Sequence, residues 1–132
     1  MGEGKERQKL HSLVQRLGLE GQVLLPGFAE NVYPYFRHAE LCVVSSRIEG
    51  FPNVLLQMMS QNGNVVTTRC AGGLEDIPDL LTAATHDIQG LAMAMKERLD
   101  HRLERDHYGA YLRTRDIAAF VSAINHKLSE NV

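Results

Sequence analysis

Long apolar runs are missing from this chain of 132 residues, and so is any strong imbalance of charge. No run nears the roughly 18 apolar residues that a bilayer-spanning helix needs, and no signal-peptide pattern follows Met1. The formal net charge of −2 speaks against nucleic acid or an anionic membrane surface as an obligate partner. Cysteine is scarce. Cys42 and Cys70 lie 28 positions apart, one in an apolar run and one in a loop. That fits neither a zinc pattern nor a disulfide framework, and it suits a reducing cytoplasm. Peripheral attachment at the inner face of a membrane stays open. The six histidines show neither the i, i+4 nor the paired-cysteine spacing of a metal site, so no metal and no cofactor is expected. Ser45 and Ser46 sit in no G-x-S-x-G elbow, which speaks against a hydrolase nucleophile. Repeats and low-complexity segments are absent.

What is present is enough for one core. With 44% hydrophobic residues the chain reads as a single domain over residues 1–132. Its organising stretch runs from Ser45 to Gln57. The apolar run Leu41-Cys42-Val43-Val44 leads into it as a buried strand, and Pro52 suits the first position of a helix, where a missing N–H costs nothing. Between them lies a short polar turn. Gly50 lets another group approach the backbone, and a helix start at the carboxyl edge of a parallel sheet is where α/β proteins hold phosphates.

Earlier in the chain, Leu10, Leu13, Val14 and Leu17 share one helix face, and Gly18 ends that helix as a left-handed cap. Gly2-x-Gly4 ahead of it reads either as a phosphate loop or as a plain helix start. Val23-Leu24-Leu25 is expected as a short buried strand stopping at Pro26-Gly27, with Phe28 in the loop. A brief helix follows from Asn31 as cap through Tyr33, Tyr35 and Phe36, aromatics better suited to packing than to base stacking. Asn62-Gly63 closes the central helix, and residues 64–68 form another strand.

Beyond the loop Cys70-Ala71-Gly72-Gly73 come a weak strand at Leu80-Leu81-Thr82 and a helix from Ile88 to Leu99 that presents Leu91, Met95 and Leu99. The charged run from Asp100 to His107 reads as a solvated helix face or linker. A last amphipathic helix is expected from Asp116 to Leu128. Strands and helices alternate with short connections, so the class is α/β with parallel strands.

Few side chains carry chemistry. Glu49 sits in the turn, and Asn53 and Gln57, four apart, share a face of the helix beside it. These three either line a pocket above the sheet or do nothing more than favour the helix start and meet solvent.

In order and spacing, Gly2-x-Gly4, the segment Val23 to Phe28, the strand Ala39 to Ser46, the turn Glu49-Gly50-Phe51-Pro52 and the loop Cys70 to Gly73 resemble the retaining glycosyltransferases of family 4. The likeness runs from about residue 2 to residue 95. It implies a Rossmann-like three-layer α/β/α domain with a mostly parallel sheet, the C-terminal, donor-binding half of the GT-B architecture, truncated at its N-terminal side. It further implies a hexosyl- or N-acetylhexosyltransferase, acting with retention and without a metal. The partners implied are a nucleotide-diphosphate sugar donor, a glycan or lipid-linked acceptor, and an N-terminal domain or partner chain. By the same resemblance Glu49 is the catalytic-site carboxylate that contacts the donor sugar. Gly50, Phe51 and Pro52 lie by the diphosphate, Gly27 and Phe28 meet the nucleobase, and Gly2, Gly4 and Asn53 complete the donor site.

Gln57 departs from the pattern, for it stands where the family has a second glutamate that accepts hydrogen bonds from the ribose. Without charge assistance that contact weakens by ~1 kcal/mol. The family's preceding strands, its diphosphate-neutralising Arg and Lys and its acceptor domain have no counterpart in the sequence. A non-catalytic module that binds nucleotide or docks to a partner is therefore the alternative expectation.

Overall fold

A computed structural model describes residues 4–115. Gly2 and the helix expected from Asp116 to Leu128 lie outside the described residues. The chain forms two compact units, Met1–Pro34 and Tyr35–Val132.

The first unit is built on helix α1 (Arg7–Arg16). Gly18 ends it with φ +65°, a conformation that costs a glycine nothing. The Gly18 N–H donates to the Gln15 carbonyl and the Leu19 N–H to the Val14 carbonyl. Both bonds belong to the cap that satisfies carbonyls left over at a helix end. The expected strand Val23 to Leu25 is not formed, and Leu24 is exposed. A strand exists only through a hydrogen-bonded neighbour, and among the described residues of this unit there is no strand to pair with. An Arg7 guanidinium N–H donates to the Leu25 carbonyl instead, at 2.8 Å.

Helix α2 (Tyr33–His38) carries the chain out of this unit; the Asn31 side chain accepts from the Tyr33 N–H at 3.1 Å, as expected of its cap. Of the three aromatics only Phe36 is buried, while Tyr33 and Tyr35 are exposed.

The second unit holds a parallel sheet of three strands, β1 (Cys42–Val44), β2 (Val65–Thr68) and β3 (Leu81–Ala83), in the order β1-β2-β3. Cys42 pairs with Val65, and Val66 with Leu81, so both ladders are parallel. Helix α3 (Asn53–Met59) connects β1 to β2 and buries Leu55 and Met59. It begins one residue later than expected, with Pro52 as N-cap and not as first helical residue. Helix α4 (Ile88–Asp100) packs on β2 and β3. Asp87 caps it, its carboxylate accepting from the Gly90 N–H at 2.8 Å. A short helix α5 (Gly109–Arg113) ends the described chain.

All four residues of β2 are buried, as befits a central strand covered on both faces. The buried face of α4 is offset from the expected one, with Leu91 and Met95 half-buried along it. Ala94 and Arg98 are buried, whereas Leu99 is exposed. Arg98 donates to the Asp79 carbonyl and, at 3.2 Å, to the His101 carbonyl, so its guanidinium satisfies backbone at the foot of the sheet. Asp100 ends α4, and the rest of the charged run, 101–107, is a non-helical linker that leads into Tyr108, which is fully buried with its phenol pKa pushed up by that burial.

Asn62 ties the unit together. Its amide donates to the carbonyls of Phe36 (2.9 Å) and Ala39 (2.7 Å), and its oxygen accepts from the Asn64 N–H (2.9 Å). Asn62→Ala strands two carbonyls and an N–H in a buried setting, so the protein should lose about 2–3 kcal/mol of stability, read from the midpoint of urea unfolding. The fold also has an alkaline limit. Burial pushes the Cys42 thiol from its ordinary 9.0 up to about 11. Above pH 9 the unfolded thiol gives up its proton while the folded one keeps it. Stability therefore falls as pH rises from about 9 to 11, and Cys42→Ala should remove one proton from that dependence in pH-resolved unfolding curves.

Candidate functional site

At the carboxyl edge of the sheet the chain leaves β1 through residues 45–52, leaves β2 through Arg69 and Cys70, and leaves β3 through Ala84 to Asp87. Three hydrogen bonds shape the first of these turns. The Thr68 hydroxyl donates to the Ser46 carbonyl. The Glu49 N–H donates to the Cys70 carbonyl at 2.8 Å, and the Ser46 hydroxyl donates to a Glu49 carboxylate oxygen at 2.8 Å. The first two staple the turn to the end of β2. The third restricts the Glu49 carboxylate while leaving its second oxygen and the rest of its acceptor capacity toward solvent.

Glu49, Gly50, Asn53 and Gln57 are exposed, Phe51 is half-buried and Pro52 is buried. A Cβ built on Gly50 would meet nothing within 4 Å, so the turn leaves open space above it. No side chain caps α3, which leaves its first-turn N–H groups without a side-chain partner. Asn53 and Gln57 both lie on this helix, one turn apart. A separate cavity of about 260 Å³ opens at the same edge, lined by Ser45, Arg47, Thr68, His86 and Asp87 among others. Glu49 does not line it.

Six of the sequence-derived site residues, Glu49 through Asn53 and Gln57, thus lie in the second unit, and the remaining described ones, Gly4, Gly27 and Phe28, in the first. Gly4 is exposed and accepts from the Arg7 N–H through its carbonyl at 3.1 Å. Gly27 takes φ +79° and turns the chain into Phe28, whose ring is 76% exposed and free to meet a flat ligand. Neither Ser46 nor Thr68 was picked out by the sequence reading. A signal for Ser46 existed, since Ser-x-x-Glu is the spacing at which a hydroxyl and a carboxylate cooperate at a helix start. Thr68 had none, for its partner is 22 residues away. Among the described residues no group of His, Cys, Asp and Glu is placed to hold a metal ion.

The staple makes a measurable claim. Thr68→Val keeps the shape of a buried side chain but removes the bond to Ser46, so it should cost about 1 kcal/mol of stability and speed amide exchange at residues 46–50 more than in β2.

Comparison with known proteins bears on the family and the fold. Residues 1–101 match the family described as glycosyl transferases group 1. The lipopolysaccharide core biosynthesis glycosyltransferase LpsE of Rhizobium meliloti is 32% identical over 100 residues, covering 74% of this chain and 29% of that protein. An N-acetylgalactosaminyltransferase of Campylobacter jejuni, acting on a diphospho-undecaprenol-linked sugar by its name, is 36% identical over 77 residues, 58% of this chain and 21% of that protein. Among solved structures, the apo form of the lipopolysaccharide outer core galactosyltransferase WaaB superposes with a TM-score of 0.79 at 17% identity, covering 99% of this chain and 40% of that one. The chain spans about a fifth to a third of the length of the curated relatives it matches. Among the described residues no helix is long and apolar enough to cross a membrane. With the parallel α/β sheet, the Glu49-Gly50-Phe51-Pro52 turn at its carboxyl edge and a match over residues 1–101, the chain belongs to the group 1 glycosyl transferases and has the Rossmann-like fold of their GT-B C-terminal domain.

Proposed function

We propose that this chain is the greater part of a donor-binding domain, and that it holds a nucleotide-diphosphate sugar for retaining hexosyl or N-acetylhexosyl transfer to a glycan or lipid-linked acceptor. The observation that carries the reading is the Glu49 carboxylate, held at 2.8 Å by Ser46 on a turn stapled to the end of β2. A carboxylate in that position accepts hydrogen bonds from sugar hydroxyls, and a restrained one loses less entropy on binding than a free side chain would. Gly50 and Phe51 border the diphosphate, while Gln57, one turn along α3 from Asn53, accepts from the ribose. The acceptor and the second wall of a closed cleft come from another domain or chain, since transfer needs both reactants held together.

The relatives' names support glycoconjugate biosynthesis as the setting: two belong to lipopolysaccharide core assembly and one to a lipid-linked glycan. Gln57, where a carboxylate would give the ribose a charge-assisted bond, favours a second reading as a module that binds nucleotide without catalysis. The two readings differ in what Glu49 does. Calorimetry with a panel of nucleotide sugars and the matching nucleoside diphosphates tests this. On the donor reading, Glu49→Ala should weaken nucleotide-sugar binding about tenfold while leaving the nucleoside diphosphate within about twofold. Equal losses for both ligands would leave Glu49 serving only the turn.

A further inference from the structure

The guanidinium of Arg115 lies over two aromatic rings, 5.6 Å from the centre of Phe51 and 5.1 Å from the centre of Tyr111. Phe51 belongs to the turn that carries Glu49, and Tyr111 belongs to α5, far along the chain. Both contacts are within the reach of cation–π attraction, which positions a guanidinium without consuming its N–H donors. The side chain is exposed, and among the described residues no carboxylate pairs with it. A cation with no carboxylate partner among the described residues therefore stands over Phe51, the neighbour of Gly50 in the turn.

From this we infer that Arg115 is a ligand for the diphosphate of the nucleotide donor, delivered to the turn by the chain just past α5 and seated on Phe51. The inference rests on the reading of the turn as a donor site and names the residue that balances its charge. The turn already carries the Glu49 carboxylate, and a diphosphate brings more negative charge to the same edge. Like charges a few ångströms apart repel strongly even at an effective dielectric near 20, so a cation has to offset them. A planar guanidinium does so while donating two parallel bonds to phosphate oxygens, and ring contacts consume none of its N–H donors. Phe51 thus acts as the platform that holds the cation, besides contributing its backbone to the turn.

The test is calorimetry of the full chain with UDP, GDP and ADP, and with the plain nucleoside of whichever binds, at low and high salt. Arg115→Gln should weaken the nucleoside diphosphate about five- to tenfold, leave the nucleoside unchanged and flatten the salt dependence. Arg115→Lys should recover only part of the loss, and Phe51→Leu should produce a smaller loss of the same kind. Equal losses for diphosphate and nucleoside would show that Arg115 only fastens α5 to the turn, and no loss in either would remove it from the site; both overturn the inference and spare the donor reading. If no nucleoside diphosphate binds the unaltered chain, the donor reading fails and this inference with it.

Discussion

The central strand β2 is the constraint on which the second unit depends. Hydrogen-bonded on both sides and buried at all four residues, it admits neither a slip in register nor a polar substitution without exposing one ladder or the other. Its last residue, Thr68, is also the hydroxyl that fixes the departing end of β1, and the carbonyl of Cys70 just beyond it fixes Glu49. The site therefore inherits its rigidity from the core. A turn carrying Glu49 on flexible chain would present the same groups but at an entropic cost for every contact.

The opposite edge of the sheet is secured in another way. Asn62 gathers the carbonyls of Phe36 and Ala39 below β1, and its neighbour Asn64 accepts from the Leu103 N–H at 2.9 Å. Arg98 gathers those of Asp79 and His101, and His107 meets the Asp79 carboxylate at 2.9 Å while lying edge-on to Tyr108. These polar groups work because the backbone they satisfy would otherwise be buried without partners. Polar side chains thus organise the foot of the sheet, and apolar ones its middle. The division leaves the carboxyl edge free for ligand chemistry, where a parallel sheet with helices on its faces conventionally offers it.

The polarity of the α4 face has the same origin. A leucine at position 98 would fill the space but leave the Asp79 and His101 carbonyls unpaired; the arginine buries its stem and spends its head on them. Periodicity alone ranks Leu99 as the buried residue, because hydrophobicity is the only quantity it weighs.

Much of the architecture was legible in the residues. The i, i+3, i+4 pattern of Leu10, Leu13, Val14 and Leu17, the left-handed Gly18, the Asn31 cap and the β-branched runs around Val44 and Val66 each encode their element through contacts only a few residues long. Alternation of strand and helix then leaves parallel pairing as the economical arrangement. The turn at Glu49 to Pro52 was legible for the same reason, and the family likeness added roles to it. What tertiary structure decided involves distant partners. Val23 to Leu25 has strand-forming residues yet forms no strand, because pairing is a property of two segments. Thr68 reaching Ser46, Arg98 replacing Leu99 in the interior, and Arg115 settling on Phe51 each join residues separated by tens of positions. A sequence sets local conformation through neighbours; which distant groups it brings within hydrogen-bonding or ring-contact distance is settled only when the core closes around them.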